Sequence, residues 1–253
     1  MIDLHCHLLP GVDDGSRSVA QSVEVLTRMA AGGVTDIVLT PHLEASRVLE
    51  GPPPAHDEAY AALTRAAPAG VRLHRGAEIM LDRALTPRAV ETRRVTLAGS
   101  RYVLVEFTGM VAARAATSAL EQVVKGGLVP LLAHPERYAA CSVPMVTHWR
   151  ALGARIQVDA NTLFRPSGRG RKARALLAAG LVDVLAADNH GDSRSLVEPF
   201  RQLEAAGAEE VARLTMESNP DAVLRDVLMV EPGAVDLKLP LFDRVRGWFG
   251  GSE

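Results

Sequence analysis

The feature that most constrains the fold of this chain is a repeated alternation of a short apolar run with a stretch of helical pattern. Runs of this kind predict strands at residues 2–5, 36–40, 71–78, 102–107, 128–133, 155–160 and 182–187. Helical patterns lie between or after them at 18–31, 57–67, 113–125, 143–152, 171–179 and 196–206. Strands that alternate with helices pair in parallel. Seven of them predict an α/β fold with a closed or nearly closed barrel.

Residues that bind metals recur where the predicted strands end. His5 and His7 are two residues apart, so in a strand their side chains point to the same face. The carboxyl ends of barrel strands meet at one face of the barrel, which brings distant residues into one pocket. The resulting candidate metal ligands are His5, His7, Asp14, His42, Glu78, Glu106, His134, Asp188 and His190.

Nine such groups exceed what one ion uses and suit two or three divalent ions, with carboxylates such as Glu78 bridging them. Imidazole and carboxylate ligands without thiolates favour Mn, Fe or Zn. Each residue alone has an ordinary structural explanation, and only the combination indicates a metal centre. His56, His74 and His148 do not lie at strand ends and are assigned structural roles, although His74 shares strand parity with Glu78.

The chain also contains a candidate phosphate ligand and two unsuitable nucleophiles. Arg137 follows His134 by three residues, and its guanidinium can donate two parallel hydrogen bonds to a phosphate. A salt bridge to a carboxylate at the rim is the alternative for Arg137. A cysteine-based phosphatase needs an arginine six residues after its cysteine, but Val12 and Thr147 stand at that spacing from the two cysteines. Cys6 is therefore expected to be a core residue that faces away from the histidines.

Composition excludes several classes of protein. The 253 residues have a net charge of −2, which provides no general attraction to nucleic acid. We expect a cytoplasmic protein, because no secretory signal, membrane-spanning run or disulfide framework is visible. Residues 1–230 are expected to form the catalytic domain and 231–253 a C-terminal extension. The extension's apolar residues favour packing on the domain, with contact to a partner subunit or a membrane surface as the alternative. The oligomeric state stays open, a homo-oligomer included.

Several motifs, taken in order, resemble the polymerase and histidinol phosphatase (PHP) superfamily over most of the chain. They are His5-x-His7, Thr40-Pro41-His42, Gly76-Ala77-Glu78, His134-Pro135-Glu136-Arg137 and Asp188-x-His190. Within it, the chain is most similar to the bacterial manganese-dependent tyrosine-protein phosphatases of capsule and exopolysaccharide operons. That similarity includes the start of the chain with Val12-Asp13-Asp14-Gly15, the segment 101–107 and Asn219-Pro220. The segment 157–161 and the proline-rich loop 44–55 depart from the usual pattern.

The resemblance implies a distorted (β/α)₇ barrel of the PHP type with a trinuclear metal centre, most often manganese. The substrate that it implies is phosphotyrosine on the C-terminal tail of a bacterial tyrosine kinase that controls polysaccharide export. The expected reaction is metal-assisted hydrolysis, in which Arg137 holds the phosphate and His42 or His190 is a candidate general acid. The alternatives are a histidinol-phosphate-type phosphatase, a phosphodiesterase or exonuclease, and a metal-binding regulator without turnover.

Overall fold

In a computed structural model, which describes residues 1–85 and 94–238, the strands form two parallel sheets. The smaller sheet has the order β1 (Ile2–Cys6), β2 (Asp36–Leu39) and β4 (Arg72–Arg75). The larger has the order β3 (His42–Glu44), β5 (Glu78–Met80), β6 (Tyr102–Glu106), β7 (Val129–Ala133), β8 (Arg155–Asp159) and β9 (Val184–Ala186). All strand pairs are parallel, which confirms the predicted α/β class.

The chain leaves the smaller sheet and enters the larger one at two places, after β2 and after β4. The second predicted strand, 36–40, ends one residue earlier, at Leu39, and β3, which was not predicted, begins after Pro41, a residue with no N–H for a sheet ladder. The third is divided into β4 and β5 at Gly76. A Cβ atom at Gly76 would lie 2.9 Å from Val38 Cγ1, so the close approach of β2 requires a glycine there.

The two sheets also meet at the end of β1. Cys6 forms an isolated parallel bridge with Asn189, the third residue after β9. Backbone hydrogen bonds from Asp188 N to His5 O (3.0 Å) and from His7 N to Asn189 O (2.8 Å) hold the two segments together. The carboxyl ends of the first and last strands in the sequence are therefore neighbours in space.

The helices are α1 (Val19–Ala31), α2 (Pro54–Ala66), α3 (Ala113–Lys125), α4 (Val143–Ala151), α5 (Gly168–Ala178), α6 (Val197–Ala205), α7 (Glu209–Arg213) and α8 (Asn219–Leu224), with a π-helical turn at Leu214–Ser218. Three begin at serine caps: Ser18, Ser142 and Ser167 accept a hydrogen bond from a backbone N–H of the first turn. The helices over 209–224 were not predicted.

Both faces of the larger sheet are buried. Val103 and Val105 belong to one apolar cluster and Leu104 to a second, as expected for successive residues of a parallel strand covered on both sides. Polar groups are thus concentrated where the strands end. In the range 231–238, Leu237 is buried, and a carboxylate oxygen of Glu231 lies 2.6 Å from Arg155 Nη1. The predicted C-terminal extension, 231–253, lies outside the described residues from Leu239 onward.

Asp36 lies at the amino end of β2, away from the predicted metal ligands. Its contribution to the stability of the fold can therefore be tested separately from the site. Although burial opposes its ionisation, hydrogen bonds from Arg72, His74 and Thr35 lower the pKa of Asp36 to about 2. This carboxylate therefore stabilises the fold above its unfolded pKa, and the contribution disappears as the pH falls through about 2. Since the Arg72 side chain is exposed, we expect Asp36→Asn to lower the free energy of unfolding by about 1–2 kcal/mol at pH 7.

Chemical denaturation of the wild type and Asp36→Asn between pH 2 and 7 measures this difference. The difference in the free energy of unfolding between the two proteins should shrink steadily below pH 4. An unchanged difference at pH 2 would show that the substitution acts through packing instead of charge.

Candidate metal centre

The structure brings all nine predicted ligand residues together at the carboxyl ends of the strands. They fall into four overlapping groups in which one ligand atom per residue lies within 4.8 Å of the others. The groups are His5–Glu78–His134, His5–His7–Asp188, His42–Glu78–Glu106 and His7–Asp14–His42–His190. His5, His7, His42 and Glu78 each belong to two groups, so the arrangement is one continuous cluster.

Glu78 lies at the centre of the cluster. Its side chain is 1% exposed, and its Oε1 lies 2.8 Å from His134 Nε2 and 3.3 Å from His5 Nε2. The second oxygen, Oε2, lies 3.1 Å from His42 Nδ1 and 3.2 Å from His7 Nε2. One carboxylate thus contacts four imidazoles, which is the geometry that a bridging ligand requires.

Two polar residues outside the predicted set orient the first two histidines. His5 Nδ1 donates to Gln157 Oε1 at 2.9 Å, and His7 Nδ1 donates to Asp13 Oδ2 at 2.8 Å. In both rings Nε2 is then the nitrogen that faces the cluster, as second-shell hydrogen bonds commonly arrange in metal sites. Asp13 precedes the predicted ligand Asp14 and was not itself among the predicted ligands. Gln157 had no recognisable signal, because it comes from a strand 152 positions away.

The open side of the cluster is formed by His42, His190 and Asp14. Asp14 Oδ1 lies 3.3 Å from His42 Nε2 and 3.5 Å from His190 Nε2. These side chains are 40% exposed for His42, 20% for His190 and 68% for Asp14, whereas those of His5 and His7 are fully buried. Glu106 Oε1 approaches His42 Nδ1 at 3.2 Å from the inner side.

Arg137 contacts the cluster through Asp188. Its guanidinium contacts Asp188 Oδ2 directly, and Asp159 Oδ2 lies 3.7 Å away. Arg194, which was not predicted, lies 3.4 Å from the same oxygen of Asp188. The guanidinium of Arg137 therefore forms the salt bridge, and the side chain is also 30% exposed, so both interpretations of this residue are physically compatible.

The cluster strongly favours positive charge. Burial disfavours a charged imidazole at His5, yet Glu78 and Asp188 raise its pKa to about 10. Burial opposes ionisation of Asp188, yet His5 and Arg137 lower its pKa to about 2. Likewise the histidines around Glu78 hold the pKa of that carboxyl well below its usual range, against the effect of burial. Buried carboxylates of this kind require cations beside them.

Divalent metal ions fit this set of donors. His5 Nε2 and His7 Nε2 face each other at 3.1 Å, and two imidazole nitrogens at that distance need a proton or a cation between them. Three carboxylates from different strands converge on the same space. The donors are only imidazole nitrogens and carboxylate oxygens, which suits Mn, Fe or Zn.

The backbone at two of the cluster residues is held in an unfavourable conformation. His134 has φ 33° and Asp188 has φ 49°, in the left-handed region that non-glycine residues rarely adopt. Each follows a strand directly or within two residues, and the turn directs its side chain into the cluster. Strain of this kind costs on the order of 1–3 kcal/mol and is concentrated at functional sites.

Neither cysteine has the environment of a nucleophile. Cys6 is fully buried in the main apolar cluster, and burial raises the pKa of its thiol well above the usual range. Burial also raises the pKa of Cys141 to about 11. A thiolate is the reactive form, so both residues behave as core side chains.

The three remaining histidines fall outside the four groups of candidate ligands. His74 Nε2 lies 2.8 Å from Asp36, so its strand parity with Glu78 does not bring it to the cluster. His148 is exposed on α4. His56 is buried in the first turn of α2, and it lines a cavity of about 460 Å³ together with His42 and Glu106.

Comparison with known proteins identifies relatives over nearly the whole chain. The tyrosine-protein phosphatase YwqE of Bacillus subtilis is 30% identical over 197 residues, which cover 75% of this chain and 77% of the relative. The tyrosine-protein phosphatase CpsB of Streptococcus pneumoniae is 29% identical over 248 residues, or 90% of this chain and all of the relative.

A solved structure agrees with the sequence comparison. It comes from work on YwqE and CpsB, described as unique metal-dependent tyrosine phosphatases, and it covers 93% of this chain and 99% of its own. The TM-score is 0.75 at 25% sequence identity. The profile of the family described as capsular polysaccharide synthesis, CpsB/CapC, matches residues 1–225. The chain therefore belongs to the CpsB/CapC family of capsular polysaccharide synthesis proteins.

Proposed function

We propose that this protein is a metal-dependent phosphomonoesterase that removes phosphate from tyrosine residues of proteins. The observation that carries the proposal is the cluster of nine imidazole and carboxylate side chains with Arg137 at its edge. The names of the two relatives described above, both tyrosine-protein phosphatases at 29–30% identity, support the substrate class. We also infer that the parallel sheets form a distorted (β/α)₇ barrel of the PHP type.

The nine residues would hold two or three divalent ions, with manganese the first choice and iron or zinc the alternatives. Glu78 would bridge ions because its two oxygens face different pairs of histidines. Bound ions supply Lewis-acid charge that neutralises the phosphate and lowers the pKa of a water molecule. Gln157 and Asp13 would keep the rings of His5 and His7 oriented for binding.

Arg137 would bind two phosphate oxygens and stabilise the charge that develops as the ester bond breaks. The leaving phenol has a pKa of about 10, so it departs more easily than an aliphatic alcohol. Help from a general acid is correspondingly less important. His42 and His190 are the candidates for that role, because their rings lie at the exposed side of the cluster.

The biological substrate that we propose is a tyrosine kinase of the same bacterium, in line with the description of the family as capsular polysaccharide synthesis proteins. A cytoplasmic location fits that substrate. In the part of the chain that the structure describes, no helix combines the length and apolar character needed to cross a bilayer.

Chelation tests the proposal directly. Removal of divalent metals with a chelator should reduce hydrolysis of p-nitrophenyl phosphate and of a phosphotyrosine peptide by at least about 10³-fold, since metal charge is worth several kcal/mol in such reactions. Adding Mn²⁺ should restore activity. Cys6→Ala is the matched control, and it should keep the metal dependence because the thiol is buried in the core.

Activity that survives complete metal removal, or that is lost specifically in Cys6→Ala with the fold intact, would contradict the proposal. Faster turnover of histidinol phosphate than of the phosphotyrosine peptide would favour a small-molecule phosphatase with the same metal centre. Bound metal without hydrolysis of any phosphoester would favour a regulatory role.

A further inference from the structure

We propose that a basic groove beside Arg137 binds an acidic segment of the substrate protein that flanks the phosphotyrosine. This inference rests on the proposed function and concerns the residues that line a groove outside the metal cluster. The groove has a volume of about 710 Å³ and runs between the loop after β6, the turn after β7 and the start of α5. Its charged lining consists of Arg137, Arg169, Arg171, Lys172 and Glu136.

The balance of charge in the groove favours an anionic ligand. Four cationic side chains face one carboxyl group, on Glu136, which is 1% exposed and accepts a hydrogen bond from Asp159 N at 3.0 Å. The whole chain has a net charge of only −2, so this cationic lining is a local feature. A cleft lined by charges of one sign raises the local concentration of oppositely charged ligands.

Two of the four cations are available to a ligand. Arg169 and Arg171 are exposed, and within residues 1–85 and 94–238 no hydrogen bond or ion pair occupies either guanidinium. Lys172 is different, because its Nζ donates to Tyr138 O at 2.6 Å and fixes α5 to the turn after β7. One side of the groove is therefore fixed by the Lys172 hydrogen bond, and the guanidinium groups of Arg169 and Arg171 are free to bind a ligand.

The groove is continuous with the metal cluster through Arg137. The guanidinium of this residue contacts Asp188 within the cluster, and Arg137 also lines the groove. A phosphate at the cluster and an acidic side chain in the groove would therefore belong to one bound peptide. A small aryl phosphate would reach only Arg137 and leave Arg169 and Arg171 without a role.

The experiment compares three substrates: p-nitrophenyl phosphate, a phosphotyrosine peptide flanked by Asp and Glu, and the same peptide with Ser at those positions. We expect the double variant Arg169→Glu and Arg171→Glu to lower kcat/KM for the acidic peptide about tenfold, mainly through KM. The loss should diminish at high salt. Turnover of p-nitrophenyl phosphate should not change, because neither residue contacts the cluster.

The matched control is the double variant Arg65→Glu and Arg201→Glu, which changes the charge by the same amount at exposed positions on α2 and α6. The Arg169→Glu and Arg171→Glu variant should fold, since acidic residues in the first turn of α5 interact favourably with the helix dipole, and circular dichroism checks that both double variants are folded. Equal losses in the two double variants would overturn the proposal in favour of a nonspecific charge effect.

The experiment distinguishes an error in the proposed role of the groove from an error in the proposed function. If the wild type hydrolyses none of the three substrates in the presence of Mn²⁺, the proposed function is wrong. If it hydrolyses all three and the acidic and neutral peptides respond equally to Arg169→Glu and Arg171→Glu, only the groove is wrong. Loss of binding to vesicles with anionic lipid, with no effect on either peptide, would reassign the groove to a membrane surface and overturn the proposal.

Discussion

Glu78→Gln is expected to cause the largest loss of activity of any single substitution in this protein. The two oxygens of Glu78 contact His5, His7, His42 and His134 at 2.8–3.3 Å, and the Glu78 side chain is 1% exposed. Glutamine has nearly the same shape, but its oxygen carries no negative charge and its N–H₂ group cannot bind a cation. We expect kcat/KM for aryl phosphates to fall on the order of 10³-fold or more.

Metal analysis of the purified variant separates the two ways in which Glu78 could act. If Glu78 bridges ions, the number of divalent ions bound per chain should fall together with activity. Glu58→Gln, at an exposed position of α2, is the control for the loss of one negative charge, and it should change neither quantity. Full metal content and wild-type turnover in Glu78→Gln would remove Glu78 from the centre and contradict the bridging role.

Arg137→Ala is expected to give the second largest loss, about 10²–10³-fold in kcat, without loss of metal. The guanidinium is a preorganised donor at the edge of the cluster, and removal of one such donor commonly costs this much. Arg137→Lys should restore only part of the activity, because an ammonium group acts as a point charge and cannot donate two parallel hydrogen bonds.

The contact between Arg137 and Asp188 provides the competing explanation. If Arg137 serves only to hold Asp188, the alanine variant should lose metal in proportion to activity, and higher Mn²⁺ concentrations should rescue it. Steady-state kinetics over a range of Mn²⁺ concentrations distinguish the two cases. Complete rescue by metal would contradict a direct role in phosphate binding.

Much of the local structure follows from the sequence. The predicted helix at 113–125 matches α3 at both ends, and Ser18 caps α1 where the first helical pattern was expected to begin. The helical region at 209–224 was missed, because a π-helical turn at Leu214–Ser218 breaks the apolar periodicity on which such predictions depend. The sequence pattern also predicted one continuous strand at 71–78, which Gly76 divides between the two sheets, and did not predict β3 after Pro41.

The limits of local information are clearest around the candidate metal centre. The spacing of His5 and His7 in a strand is enough to place both rings on one face, and strand ends were enough to nominate Glu78 and Asp188. No local pattern, however, relates Gln157 to His5 or Arg194 to Asp188. Those contacts depend on which strands are neighbours and on the turns that follow them.

The sequence by itself determined the α/β class, the family and the chemical types of the candidate ligands, because these depend on periodicity and on residues at fixed spacings. Only the tertiary structure decided which side chains share one carboxylate, which nitrogens face the cluster and which arginines line the neighbouring groove. The physical reason is that parallel strands bring residues more than 150 positions apart within hydrogen-bond distance, and the pairing order of strands is a property of the packed sheets.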